Sequence, residues 1–216
     1  ISLVAVTHEI PEGTEWKWAG GNARSIATKR NAAVRQMLDH RKLKWLAFLD
    51  SDQVYPPDVL QRLLAVDADI VSGLVLQKYR GAHYAPCAGV VKNLPEDAPP
   101  KRPTDHEDFW WNPVHPGKVA SGEMGVAEVD LAGTGCMLVR RRVLEYLEEP
   151  WFVPNEDKHP GCNEDYNFCI RARREFDLKI RCDTDLQIEH VGPEGVTVET
   201  AAEHWRQFLQ ETGQTL

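Results

Sequence analysis

No apolar run in this sequence approaches the ~20 residues that a membrane-spanning helix needs, so the sequence contains no such span. Positive charge is also short. The 25 Lys and Arg stand against 33 Asp and Glu, and a formal net charge of −8 gives no general attraction to nucleic acid or to an anionic lipid surface. Cysteine is sparse, with five residues scattered at 87, 136, 162, 169 and 182. An odd number without a CxxC pair argues against a disulfide framework and a zinc ribbon. They read as reduced, mostly buried thiols, which points to a cytoplasmic setting. There is no internal repeat, no low-complexity tract and no signal-peptide pattern. The chain opens on Ile1, inside an apolar stretch (Ile1, Leu3, Val4, Val6) that reads as a strand already under way, so residues are expected to precede it.

What is present is ordinary globular material. An apolar share of 42%, a charged share of 27% and 216 residues suit one sizeable α/β domain spanning 1–216. Residues 1–7 read as a strand, and Gly20-Gly21 breaks the chain before a helix over 23–39, with Ile26, Ala33, Val34, Met37 and Leu38 on one face. Lys44 to Leu49 is a short apolar run of the kind buried on both faces of a parallel sheet, and it ends abruptly in Asp50-Ser51-Asp52. Pro56-Pro57-Asp58 opens a helix whose inner face is Val59, Leu60, Leu63 and Leu64. A strand follows over 69–75. This alternation predicts right-handed crossovers and a mostly parallel central sheet flanked by helices. Ligands of such sheets bind beyond the carboxyl ends of the strands, where the aspartates sit.

From 93 to 122 the pattern dissolves into six prolines, clustered charge and Phe109-Trp110-Trp111. A loop this long in a compact domain is usually functional or disordered, and its aromatics favour function. It reads as an active-site loop, with Trp110 and Trp111 stacking on a ligand ring or closing as a lid, or else covering a core edge. Beyond it the pattern predicts strands near 126–131, 136–139, 178–182 and 186–190. Helices are expected over 141–148 and 163–176, and an amphipathic one over 197–211 carries Ala201, Trp205 and Phe208 on one side.

Two aspartates flanking one residue at the exit of a buried strand form a hard-oxygen site suited to Mg2+ or Mn2+. The bland reading is an acidic turn leading into the helix after Pro56. Gly133-Thr134-Gly135 lacks the spacing of a dinucleotide fingerprint; it is either a tight turn or a backbone surface that approaches a ligand closely. Glu164 and Asp165 begin a helix, where the helix dipole alone favours carboxylates. His190 closes a strand before Gly192-Pro193. Arg24, Lys29, Arg30 and Asn31 precede the aspartate-bearing strand; such charges are solvated by default, but Arg also offers a rigid fork for phosphate.

Taken in order, ARSIATKRNAAVRQML, KWLAFLDSDQVYPPDVLQRLL, VDLAGTGCMLVRRRVL, GCNEDYNFCIRAR and LQIEHVG resemble the GT-A glycosyltransferases, family-2-like enzymes with a DXD motif. The likeness spans roughly residues 22–192 and implies a Rossmann-like GT-A fold whose first βα unit is missing or lies outside the chain. It implies that Asp52 contacts the metal, with Asp50 serving the ribose or a metal-bound water and His190 completing the shell. Arg24, Lys29, Arg30, Asn31, Asp50, Ser51 and Gly133–Gly135 would line the donor, Asp165 would act as base and Glu164 would support it. The implied activity is metal-dependent transfer from a nucleoside-diphosphate sugar, expected to be a UDP sugar, to a hydroxyl on a glycan, protein, small molecule or modified DNA base. Two alternatives stand beside it: a sugar-nucleotide nucleotidyltransferase, and a non-catalytic nucleotide- or carbohydrate-binding module.

Overall fold

The computed structural model describes residues 25–76, 87–91, 111–114, 118–119, 121–153, 163–176 and 178–191, with 203, 206 and 210. The first element is α1 (Ile26–Asp39), followed by β1 (Trp45–Leu49), β2 (Gln53–Val54), α2 (Val59–Ala65) and β3 (Ile70–Val75). Then come β4 (Ala88–Val91), β5 (Trp111–Pro113), β6 (Val126–Glu128), β7 (Leu131–Ala132) and β8 (Cys136–Arg140). The remaining elements are α3 (Arg141–Tyr146), α4 (Glu164–Phe176) and β9 (Ile180–His190). The strand expected over 1–7 lies outside the described residues. Of the helix expected over 197–211, Glu203, Arg206 and Gln210 are described, each helical and exposed. Among the described residues no helix is long and apolar enough to cross a membrane.

The central sheet runs β1-β8-β3-β9-β2, with β6 also paired to β9. It is mixed and mostly antiparallel, which corrects the mostly parallel sheet predicted above. β3 and β9 pair in parallel, whereas β1/β8, β3/β8, β2/β9 and β6/β9 are antiparallel. The reason is the return of β8 between β1 and β3. Those two strands share one direction, as the helix between them requires, but they are separated by a strand running the other way. A short run of buried apolar residues reads the same in either direction. A second sheet, β5-β4-β7, has three antiparallel strands. It places Trp111 in a strand rather than in the loop expected over 93–122.

Alternation along the strands divides the core. Ile70, Leu74, Met137, Val139 and Ile180 pack with Val34 and Met37 of α1 and Phe168 of α4. Val71, Val75, Leu138, Leu186 and Ile188 pack with Val59 and Leu63 of α2. In β9 the alternation changes phase. Its pairing with β3 runs Gly73↔Asp183 and then Leu74↔Gln187, so residues 184–186 have no partner there. An odd number of extra residues turns the even-numbered side chains over, so Ile180 and Ile188 face opposite cores. This is why the strand reads in sequence as two. Arg62 of α2 secures the bulge with a two-pronged pair to Asp183, Nε and Nη2 lying 3.1 and 2.9 Å from Oδ2. Asp183 Oδ1 in turn accepts from the backbone N–H groups of Asp185 and Leu186 at 3.1 and 3.2 Å.

The carboxyl end of α1 carries no basic residue in its last turn. Arg141, the first residue of α3, supplies the missing cation. Its guanidinium donates to the carbonyls of Leu38 at 2.9 Å and His40 at 3.0 Å, with Leu43 and Met37 slightly farther at 3.3 and 3.4 Å. These carbonyls belong to the last turn of α1 and the turn that follows it, where helix carbonyls run short of N–H partners, and the positive charge also suits the helix dipole. Arg141→Ala is expected to cost about 1.5–3 kcal/mol in urea unfolding, the range for charged hydrogen bonds. Arg141→Lys should recover only part of this, because one ammonium cannot span the four carbonyls.

Candidate active site

The strands β1, β3 and β9 end, and β8 begins, at the same end of the central sheet. The ends of β1 and β9 and the start of β8 carry residues singled out by sequence, and the end of β3 supplies the Leu76 carbonyl. Asp50 follows β1, and its backbone N–H donates to the Gly135 carbonyl at 3.0 Å, just before β8. The Tyr55 hydroxyl lies 2.6 Å from the same carbonyl and 2.8 Å from that of Asp50, donating to one at a time. The Asp-Ser-Asp turn and the Gly-Thr-Gly stretch are therefore tied together through their backbones.

Arg30 organises the acidic side chains. It is nearly buried, 8% exposed, on the inward face of α1, the helix capped by Ser25. Its guanidinium forms an ion pair with Glu164 at the start of α4 and lies 3.7 Å from the Asp50 carboxylate. Burial pushes the Asp50 carboxyl above the ordinary range, and Arg30 opposes that shift. The neighbouring Asn31 faces the core as well. Its side-chain amide donates to the Phe152 carbonyl at 2.8 Å and accepts from the Phe152 N–H at 3.0 Å, satisfying a buried backbone segment. The Phe152 ring lies under the Arg30 guanidinium at 6.0 Å and stacks on Phe168 of α4.

Asp165, one residue beyond Glu164, is buried. Oδ1 accepts from the Tyr166 N–H at 2.8 Å and Oδ2 from the Thr134 N–H at 3.2 Å. Burial raises its carboxyl to about 6, against the lowering effects of Arg30 and of the two N–H donors. At the other edge, Asp52 is exposed and its Oδ2 lies 3.2 Å from His190 Nε2, while His190 Nδ1 is 2.7 Å from the Leu76 carbonyl. The β9 bulge decides which face this ring projects from.

The structure thus brings Arg30, Asp50 and Glu164 together, Asp52 to His190, and Thr134 to Asp165. Asp50, Asp52 and His190 do not form one three-ligand cluster. Among the described residues no group of three or more His, Cys, Asp and Glu side chains is arranged to hold a metal ion. Lys29 and Ser51 are exposed. Arg24 and Trp110 lie outside the described residues, and so does the side chain of Trp111. Tyr55, Gln53 and Phe152 escaped the reading of the sequence. Their signal was adjacency alone, Gln53 and Tyr55 lying just after the aspartates, and nothing local to Phe152 ties it to Asn31. The buried thiols of Cys136 and Cys182 are pushed up to about 12 by desolvation, far from a reactive range.

Close packing accounts for the two glycines. A Cβ on Gly133 would meet the Cys87 Cβ at 2.8 Å, and one on Gly135 would lie 2.2 Å from Gln53 Nε2. Gln53 is buried and pairs across the strands with His190. Gly135→Ala is expected to lose about 1–3 kcal/mol in urea unfolding, as overpacking does. Adding Gln53→Ala should restore part of that loss, and a strictly additive double variant would disprove the contact.

No family model matches the chain, and no curated protein matches it in sequence. In three dimensions it is similar to A197 from STIV, whose crystal structure superposes with a TM-score of 0.52. The match covers 82% of this chain and 74% of that one at 18% identity. At that identity the likeness is one of fold: the two chains share an architecture, here a mixed, mostly antiparallel sheet of six strands flanked by helices.

Proposed function

We propose that this chain is a glycosyltransferase that moves a sugar from a nucleoside-diphosphate sugar, a UDP sugar by the resemblance of its motifs, to a hydroxyl-bearing acceptor. The observation that carries the proposal is convergence. Asp50 with Asp52, the Gly133–Gly135 backbone, Glu164 with Asp165, and His190 come from four separate stretches of sequence and meet at one end of the sheet.

The donor set fits Mn2+ or Mg2+ in one respect that rests on geometry. The Leu76 carbonyl can only accept, so His190 Nδ1 carries the hydrogen. In neutral His190 the Nε2 lone pair then points at the Asp52 carboxylate, and two acceptors 3.2 Å apart need a cation or a proton between them. A ring fixed by a carbonyl at its far nitrogen is also the usual support for a metal-bound histidine. Asp52 and His190 would hold the ion, and diphosphate oxygens and water would fill the rest of its shell. Bound there, the metal supplies charge neutralisation to the departing diphosphate.

The protein's own groups supply the rest. Arg30 is committed to Glu164 and Asp50, so it serves as an organiser of the acids rather than the diphosphate contact that the resemblance implied. Lys29 and Arg24 remain the proposed cationic contacts to the donor, and Ser51 and the Gly133–Gly135 backbone its proposed polar lining. Asn31 supports the site through Phe152. Asp165 uses two of its roughly four acceptor positions on N–H groups and keeps the others for an acceptor hydroxyl, whose proton it takes as the sugar is transferred. Glu164, paired with Arg30, orients that hydroxyl. Trp110 and Trp111 keep the proposed role of a lid or sugar platform. The acceptor is a hydroxyl compound: a glycan, a protein, a small molecule or a modified DNA base.

Incubation with a panel of UDP sugars and Mn2+ should release UDP, and Asp52→Asn should slow release by roughly 10²-fold, as loss of one charge-stabilising group does. Equal release by the two proteins would remove Asp52 from the reaction, and UDP binding without turnover on any donor would favour the binding-module reading. The pH dependence follows from Asp165. Its carboxyl is neutral below about 6, so transfer should fall about tenfold per pH unit below that value and level off above it. A rate that is flat from pH 5 to 7 would move the base to another residue.

A further inference from the structure

We propose that a second binding site, shaped for one unit of a neutral carbohydrate, lies at the opposite end of the central sheet from Asp52 and His190. A pocket of about 340 Å3 opens there, where β8 ends and β3 and β9 begin. Those two strands run from this pocket toward the acidic corner, so the sites are separated by the length of the sheet. The volume is at the lower end of the range for small-molecule pockets.

One wall is aromatic. Tyr146 of α3 and Phe176 at the end of α4 stack on each other, with ring centroids 5.4 Å apart and planes 26° apart. They remain 52% and 40% exposed. Phe48, Phe152 and Phe168, by contrast, are buried in the core. Two adjoining rings left in water forgo much of the stabilisation that burial would give, and a surface patch of this kind marks a contact site.

The rest of the lining is mostly polar and hydrogen-bonded. Arg140 donates to Asp67 Oδ1 at 2.9 Å and to the Ala68 carbonyl at 2.8 Å, and its guanidinium lies over the Trp45 ring. Arg142 Nε donates to Asp69 Oδ1 at 2.6 Å. Asp69 is itself fixed by the Lys179 N–H at 3.1 Å. Two guanidiniums are thus matched by two carboxylates, and the exposed Lys179 amine adds a single positive charge. A phosphate or nucleotide site would present uncompensated cations. A groove for a peptide helix would be apolar along its length. A sugar ring has an apolar C–H face and a rim of hydroxyls, each both donor and acceptor. That pattern suits an aromatic platform in one pocket with donors and acceptors in nearly equal number. The site does not depend on the transferase reading, because it would bind sugar whether or not the far end of the sheet catalyses transfer.

Binding of the labelled full chain to an array of neutral oligosaccharides, without nucleotide or metal, tests this directly, followed by titration of the strongest binder. Tyr146→Ala and Lys179→Ala alter exposed side chains and should leave the melting temperature unchanged. Tyr146→Ala should weaken binding by about tenfold or more, in keeping with the worth of an aromatic contact. Asp52→Asn should bind like the unaltered chain. The proposal is overturned if no neutral glycan binds, if Tyr146→Ala and Lys179→Ala both bind normally, or if binding is lost in Asp52→Asn instead. Capture of inorganic phosphate or UDP that Tyr146→Ala abolishes, with no glycan bound, would overturn the ligand class.

Discussion

A guanidinium nearly out of water must be met by carboxylates, because an uncompensated buried charge costs several kcal/mol. Arg30 of α1 meets this demand with Glu164 from the start of α4 and Asp50 from the end of β1. Three elements distant in sequence are thereby held against one another by a single side chain. Phe152 closes the arrangement from beneath, itself pinned by both polar atoms of Asn31. The adjacent Arg30 and Asn31 therefore act as a pair, one ordering charge and the other ordering backbone. The acidic corner is positioned from the helix side by these two residues.

The strand side depends on the irregularity in β9. The three extra residues exchange the faces of the strand halfway along, so its first half fills the core under α1 and α4 and its second half the core over α2. His190 lies beyond that exchange. Its ring meets the Leu76 carbonyl and Asp52 because the bulge has already turned the strand over. Arg62 and Asp183 keep the bulge in place from α2. A regular strand would have pointed position 190 to the other face, and Asp52 would have had no imidazole beside it. Bulges near functional sites commonly re-aim a side chain in this way.

Much of this was legible in the sequence. The helices at α1, α2, α3 and α4 and the strands at β1, β3 and β8 are marked by hydrophobic period, by proline at a first turn and by abrupt acidic ends. The placement of Asp50 at a strand exit, and of Glu164 and Asp165 at a helix start, could also be read locally. The direction of β8 could not, since a run such as Cys-Met-Leu-Val carries no sign of which neighbours it will have. The strands β4 and β5 were missed for a related reason. Each is three or four residues long, too short for its period to stand out from a loop rich in proline. The pairing of Arg30 with Glu164 and Asp50 was not legible either, because a cation on a helix gives no hint of which anion it will find.

By itself, the sequence determined which residues carry charge, which can be buried and where the chain must turn, because these follow from side-chain chemistry and local spacing. From this came the elements, while the choice of acids and histidine at the sheet end came from the resemblance of five motifs in order. Only the tertiary structure decided that the sheet is mixed, that Arg30 is occupied by carboxylates, that Asp52 meets His190 apart from Asp50, and that Asp165 is buried among N–H donors. Each of those depends on at least one partner far away in sequence, such as Glu164 for Arg30, His190 for Asp52 and Thr134 for Asp165, whose approach is set by strand order and by the phase change in β9. No local pattern encodes that approach; burial of the whole core selects it.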